Sequence, residues 1–381
     1  MPVSVMLVGG ARPNFMKLAP LFHAFRRSAM FQVSVVHTGQ HYDQQMAGSF
    51  FAELGLPQPD IALSVGSGSH AVQTARILER FEEQLREHQP DMVVVVGDVN
   101  STIACALAAA KFEYTDGRRP RIAHVEAGLR SFDRTMPEEV NRVLTDALAD
   151  YLFVTEQAGV DNLRREGVAD ERILLVGNVM IDTLLGQAEE AASRAAWRRF
   201  GLQPQSYAVA TLHRPSNVDD PANLARLFSA LETAADRLPI VFPVHPRTRS
   251  RLAAAGLAGS GTLFLCDPQP YTDFLSLLSG ARVVLTDSGG IQEETTILRV
   301  PCLTLRENTE RPITIERGTN RLIGIDPAVI VRELDAVLGQ PMPRTAPPPL
   351  WDGAAAERIV AILEKAFAAL QAARPAAAAV R

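Results

Sequence analysis

Met92-Val93-Val94-Val95-Val96-Gly97-Asp98-Val99-Asn100-Ser101-Thr102 is the stretch that decides the fold. Five apolar residues in a row, with no in/out alternation, suit a strand covered on both faces, as in a parallel sheet between helical layers. The run stops at Gly97 and Asp98, and a helical pattern follows over residues 101–111. Working outward, the same strand, turn and helix recur. Apolar runs lie at 3–8, 33–36, 122–125 and 151–154, then at 173–176, 207–211, 240–244, 263–266, 283–286 and 302–305. Helical segments such as 72–87 and 223–237 fill the gaps. The pattern predicts an α/β protein with two doubly wound Rossmann-like domains.

The first domain is expected over residues 1–169 and the second over 170–350, with the boundary near 167–170 and the strand 173–176 opening the second half. A proline-rich connector at 341–349 leads to an alanine-rich helix, taken as 351–373, that packs back through Ile359, Ile362, Leu363 and Phe367. The low-complexity tail 374–381 is expected to be disordered.

At 381 residues and 47% hydrophobic, the chain can bury two full cores. A net charge of -5 with no Lys/Arg-dense segment argues against a general nucleic-acid binder, yet leaves room for a local basic pocket. Cys105, Cys266 and Cys302 sit among apolar neighbours without C-x-x-C spacing, as reduced core cysteines of a cytosolic protein do. No apolar run approaches the ~20 residues of a membrane span, and no signal segment is recognisable, so a cytoplasmic location is expected.

The unusual polar residues cluster just after strands: Arg12, Gln40 with His41, Asp98, Glu126, His213, His245 and Ser288. Open α/β sheets bind ligands outside the carboxyl ends of their strands. Two such sheets facing a central cleft would gather all these positions.

His124-Val125-Glu126-Ala127-Gly128-Leu129-Arg130, followed by Pro137-Glu138-Glu139, sets acidic and basic groups just after a strand, as acid–base chemistry on a sugar needs. Asp98 reads either as part of that chemistry or as a helix N-cap. Glu126 is hard to explain otherwise, whereas Glu138 also suits the first turn of a helix. Ser288-Gly289-Gly290 precedes a helix start, where free N–H groups and the helix dipole favour a phosphate; Glu294, one turn on, is placed for ribose hydroxyls. Gly9-Gly10-Ala11-Arg12-Pro13 departs from G-x-G-x-x-G, so no NAD and no other cofactor is expected. Arg12 and Lys17 can instead hold a sugar diphosphate. The histidines lack ligand spacing, and no metal site is expected.

In order, the chain carries G-x-R-P-x-x-x-K, T-G-Q-H, G-D, H-V-E-A-G-L-R, P-E-E-x-N-R, H-R-x-x-N, D-S-G-G-x-Q-E-E and T-E-R-P. From about residue 3 to 367 it resembles the non-hydrolysing UDP-N-acetylglucosamine 2-epimerases, which interconvert UDP-GlcNAc and UDP-ManNAc. The resemblance implies the glycosyltransferase-B arrangement of two Rossmann-like domains, a last helix crossing back to the first, and a homodimer. It implies UDP contacts at Arg12, His213, Ser288, Gly289, Gly290 and Glu294, and acid–base groups at Asp98, Glu126 and Glu138 with Lys17 nearby; Gln40 and His213 join the site.

Two departures stand out. Asn14 follows Arg12-Pro13 where many members have Glu, and His213-Arg214-Pro215-Ser216-Asn217 lacks a loop carboxylate. Residues 66–70 also lack the arginine that some relatives use to bind a second UDP-GlcNAc, leaving Gln40, Gln44 and His245 for such a role. A 2-epimerase of another UDP-2-acetamido sugar, such as a diacetamido uronic acid, is an alternative; its carboxylate would call on Arg130, Arg134 or Arg214. A hydrolysing relative, a UDP-sugar glycosyltransferase and a nucleotide-sugar sensor are the others. A sensor has no need of three carboxylates.

Overall fold

The computed structural model describes residues 2–39 and 51–373 and divides into two compact units, Met1–Thr183 with Pro349–Arg381, and Leu184–Pro348. The first unit carries strands β1 (Val3–Gly9), β2 (Phe31–His37), β3 (Ile61–Ala62), β4 (Met92–Val96), β5 (Arg121–Ala127), β6 (Tyr151–Val154) and β7 (Ile173–Leu175). They form one parallel sheet in the order β3-β2-β1-β4-β5-β6-β7. All five residues of β4 are buried, as a strand with helices on both faces must be.

Among its described residues this unit carries the helices α1 (Arg12–Arg27), α2 (His70–His88), α3 (Asn100–Lys111), α4 (Pro137–Leu148) and α5 (Gln157–Arg165). Helix α6 (Val179–Arg194) carries the chain into the second unit. There, β8 (Ala208–Thr211), β9 (Ile240–Pro243), β10 (Leu263–Cys266), β11 (Val283–Thr286), β12 (Cys302–Thr304) and β13 (Asn320–Leu322) form a second parallel sheet, ordered β10-β9-β8-β11-β12-β13. Leu227, Phe228 and Leu231 pack on one side of it with Phe242 and Leu285; Tyr207, Leu277 and Ile291 pack on the other with Val209 and Val284.

In each sheet the order reverses once, between β1 and β4 and between β8 and β11. At such a switch point neighbouring crossovers lie on opposite faces, and a crevice opens past the carboxyl ends of the two central strands.

The boundary expected at 167–170 lies instead between Thr183 and Leu184. Residues 173–175 do form a strand, but it pairs with β6 (Leu152 with Ile173) and so completes the first sheet. The chain returns at Pro349, and the last helix, α14 (Ala355–Ala373), belongs to the first unit. Between α6 and α14 come α7 (Pro215–Val218), α8 (Pro221–Ala235), α9 (Pro246–Ala254), α10 (Tyr271–Gly280), α11 (Gly289–Leu298), α12 (Ile313–Glu316) and α13 (Pro327–Leu338).

Asp182 caps the start of α14: its carboxylate accepts the Ala355 and Ala356 amides at 3.1 and 2.7 Å. Burial pushes this carboxyl up to about 6 against those two hydrogen bonds. Buried Trp351 donates to the Thr155 carbonyl at 3.0 Å, and Phe367 meets Phe31 edge-on. Tail residues 374–381 lie outside the described residues.

Candidate active site

Three turns of the first unit leave the carboxyl ends of its central strands. After β1, a Cβ on Gly10 would fall 2.0 Å from Ser101 Oγ, so glycine is required there by packing. Asn14 folds its side chain back, accepting the Gly10 and Ala11 amides at 3.1 and 3.0 Å and donating to the Val96 carbonyl. The residue that departs from the motif therefore ties the β1 turn to the end of β4. Arg12 opens α1, and Lys17 lies one turn further in, buried, with its ammonium paired to Glu126.

After β4, Gly97 takes φ +65° and Asp98 follows it. Asp98 is no N-cap: Val99 holds that position, without a side-chain cap. Its carboxylate instead receives Arg142 Nε and Nη2 at 3.0 and 2.8 Å. Asn141 holds the Asp98 carbonyl at 2.9 Å.

Near the end of β5 lies the most strained position of the site. Glu126 adopts φ +75° on a bulge where pairing with β6 skips from Val125 to Ala127. A left-handed residue with a Cβ costs about 1–2 kcal/mol and persists where its surroundings over-determine it. Here the surroundings are the Lys17 ion pair and the fixed flanks of the bulge. Glu126 is only 2% exposed, and the lysine is its counter-ion.

The pair Glu138-Glu139 divides its labour. Glu138 sits half-buried in the first turn of α4. Glu139 is buried and accepts Ser131 N, Ser131 Oγ and Phe132 N at 2.9, 3.0 and 3.0 Å, with Arg142 as counter-ion. Arg142 thus stands between Glu139 and Asp98. Asp146, on the same helix, meets His124 Nδ1 at 2.6 Å and Arg130 at 2.7 Å. Burial opposes its charge, and His124 and Arg130 more than offset that, leaving its carboxyl below the usual range. Arg130, expected as a possible partner for a uronic acid, is instead engaged by Asp146 and Glu166 inside the protein. Gln40, His41, Tyr42 and Gln44 lie outside the described residues.

The second unit carries the turn expected to hold a phosphate. His213 Nδ1 meets Asp287 Oδ1 at 2.7 Å, and the imidazole remains more than half exposed. Buried Asp287 also accepts the His213 and Arg214 amides and Asn217 Nδ2 within 3.1 Å. These donors outweigh burial and hold its carboxyl below the usual range. Asp287 therefore joins the β8 and β11 turns at the switch point, and Ser288-Gly289-Gly290 follow it into α11.

The two glycines do different work. A Cβ on Gly289 would come 2.5 Å from Arg311 Nη1, whereas one on Gly290 would meet nothing within 4 Å. Arg311 is itself anchored by Glu293 and Glu310 at 2.7 Å each. Glu294, one turn into α11, is buried and accepts the Tyr271 hydroxyl at 3.1 Å. Burial, helped by Glu293, pushes its carboxyl up to about 7 despite that bond.

Lys17, Asp98, Glu126 and Glu138 are thus gathered at one sheet of the first unit, and His213, Ser288, Gly289, Gly290 and Glu294 at one sheet of the second. Sequence reading singles out none of His124, Glu139, Arg142, Asp146, Asp287 or Arg311 as a site residue, although His124, Glu139 and Asp287 stand in the stretches it quotes. Most of them stand inside the motifs quoted, so their signal was adjacency to a chosen residue.

A family model described as UDP-N-acetylglucosamine 2-epimerase matches residues 23–364. The chain is 40% identical over 372 residues to UDP-N-acetylglucosamine 2-epimerase of Methanocaldococcus jannaschii, covering 95% of this chain and 99% of that one. It is 39% identical over 342 residues to UDP-2,3-diacetamido-2,3-dideoxy-D-glucuronate 2-epimerase of Pseudomonas aeruginosa, covering 89% and 93%. The crystal structure of the M. jannaschii enzyme with UDP-GlcNAc and UDP superposes with a TM-score of 0.86 at 39% identity, over 96% of this chain and all of that one. With a cluster of paired carboxylates on one parallel sheet and a glycine turn at a helix start on another, the likeness over nearly the whole length is decisive: the chain belongs to the UDP-N-acetylglucosamine 2-epimerase family.

Proposed function

We propose that this protein interconverts UDP-N-acetylglucosamine and UDP-N-acetylmannosamine by inverting carbon 2 of the sugar. The proton on that carbon is not adjacent to a carbonyl carbon, so direct abstraction is very costly. Elimination offers another route: a base removes the proton as UDP leaves carbon 1, giving 2-acetamidoglucal. UDP then re-adds to carbon 1 while an acid returns a proton to the opposite face of carbon 2. Two faces need two differently placed acid/base groups.

The observation that carries this reading is Glu126, a buried carboxylate on a strained bulge, neutralised by Lys17, with a second carboxylate, Asp98, fixed by Arg142 at the neighbouring strand end. Glu126, Asp98 and Glu138 move protons. Ser288-Gly289-Gly290 N–H groups, Arg12 and His213 stabilise the departing UDP, and Glu294 holds the ribose. The enzyme requires no cofactor, and we propose a cytoplasmic homodimer feeding surface polysaccharide synthesis. Among the described residues no helix is long and apolar enough to cross a membrane.

The P. aeruginosa relative favours a second reading, a diacetamido uronic acid as the sugar. Against it, the Arg130 guanidinium is already neutralised within the protein.

Proton NMR in deuterated water with UDP-GlcNAc and no added acceptor or NAD tests the proposal. UDP-ManNAc carrying deuterium at carbon 2 is the expected product. Turnover confined to the diacetamido uronic acid would transfer the assignment to that sugar, and turnover that needs an acceptor would make the protein a transferase. Sedimentation tests the dimer.

A further inference from the structure

His124 lies on β5, two residues before Glu126, and is fully buried. Both ring nitrogens have a partner: Nδ1 faces Asp146 Oδ1 at 2.6 Å and Nε2 faces the Gly97 carbonyl at 2.8 Å. A backbone carbonyl only accepts, so Nε2 carries a hydrogen. The other oxygen of Asp146 accepts two donors, the Gly128 amide at 3.1 Å and Arg130 Nη2 at 2.7 Å. Two donors on one oxygen, one of them a guanidinium, favour the ionised carboxylate, and an ionised carboxylate takes a hydrogen from Nδ1. Both ring nitrogens then carry hydrogens. With the ring charged, the chain Glu166, Arg130, Asp146, His124 alternates in sign along its whole length.

The backbone points that this chain touches are the ones that need holding. Gly97, Glu126 and Gly128 have φ of +65°, +75° and +80°. Gly97 immediately precedes Asp98, and Gly128 closes the bulge bearing Glu126. The Gly97 amide also donates to the Val125 carbonyl at 3.0 Å, so the two turns touch directly as well. His124 grips one turn by its carbonyl, Asp146 grips the other by its amide, and a single short ion pair joins them.

We propose that His124 is a positioning residue: a buried imidazolium that, through Asp146, fastens the Gly97–Asp98 turn to the Glu126–Gly128 bulge and so sets the spacing of the two carboxylates. It touches no reacting atom; it acts through Asp98 and Glu126. The kinetic half of the idea rests on the epimerase reading, whereas the charge on the ring does not.

Nitrogen-15 NMR of the full-length protein labelled at histidine, without ligand and at neutral pH, tests the ring; the His124 signals are assigned as those missing from a folded His124→Gln variant. Two protonated nitrogens are expected, and a ring with one bare nitrogen overturns the proposal. Asp146→Asn removes the counter-ion while keeping the shape. In folded Asp146→Asn the ring should lose a proton, and kcat for UDP-GlcNAc should fall by roughly 100-fold, as ångström-scale misplacement of catalytic groups does, with KM unchanged. A kcat per folded molecule equal to wild type leaves His124 a stabilising residue only and overturns the positioning role. If the wild type turns over no UDP-GlcNAc, the substrate assignment fails, and the wild-type ring spectrum still decides the charge.

Discussion

Arg142 offers the sharpest test of how the carboxylates are held. It is 2% exposed and spans Glu139, equally hidden, and Asp98, whose carboxylate is 22% exposed. Arg142→Met keeps much of the volume and removes the charge. Breaking a buried ion pair by deleting one partner costs about 3–5 kcal/mol, because the other charge is left unmatched. Glu139 still has three donors from Ser131 and Phe132, and Asp98 still reaches water, so the low end, about 3 kcal/mol, is expected. For a unit of about 200 residues that is a fall in Tm of roughly 6–12 °C. Turnover should drop roughly 100-fold, since Asp98 loses the two Arg142 bonds that help aim it. Arg142→Lys should recover little, because one ammonium cannot reproduce the forked contact with two carboxylates. Differential scanning calorimetry and deuterium uptake at carbon 2 read the two effects separately. A melting temperature within a degree or two of wild type, together with normal uptake, would show that Asp98 and Glu139 do not depend on this guanidinium.

Four further outcomes follow from the geometry. Gly128→Ala places a Cβ 2.5 Å from the Gly159 carbonyl oxygen at φ +80°, and should destabilise the first unit in thermal melts; Gly290→Ala meets nothing, and should melt like wild type while losing about tenfold or more in UDP affinity by calorimetry, some 1.4 kcal/mol. Glu294 is raised to about 7, above the ~4.3 of a free glutamate, so its contribution to stability is present at low pH and lost as pH rises toward 7; Glu294→Gln, which cannot ionise, should exceed wild type in Tm at pH 8 and converge with it near pH 4, and melting curves parallel across that range would dismiss the burial effect. Asp287 is held low, so its contribution is present above the free-carboxyl range and lost on acidification; Asp287→Asn should weaken UDP binding by releasing the turn that carries His213, and unchanged binding with an unchanged melt would remove Asp287 from the site.

Much of the architecture could be read along the chain because a parallel strand buried on both faces has an unmistakable composition. Met92–Val96, Tyr151–Val154, Leu263–Cys266 and Val283–Thr286 fall where the apolar runs end. Ile61–Ala62 and Asn320–Leu322 escaped notice, since a two- or three-residue edge strand is specified by the neighbour it pairs with rather than by its own side chains. The boundary was misplaced for a related reason. Apolar residues 173–175 look alike whether they end one sheet or begin the next, and only pairing with Leu152–Val154 decides between them.

Within the site, the legible residues are those whose chemistry is out of keeping with their position, such as Glu126 at the end of an apolar strand. The residues that passed unread are those that hold them, because a charge that merely neutralises another looks in sequence like any surface charge. Arg142 is an ordinary sixth residue of a helix until its two carboxylates come within reach, and His124 is an ordinary strand histidine until both nitrogens find acceptors. The left-handed turn at Glu126 was beyond reading as well, since glutamate gives no local signal for positive φ. What enforces it is a lysine more than a hundred positions away, on a helix whose first residues are pinned by Asn14 to the end of β4. The strain is therefore a property of the assembled sheet: the strands bring Lys17 within reach, the lysine makes a buried carboxylate tolerable, and the bulge takes that carboxylate out of the strand's regular alternation.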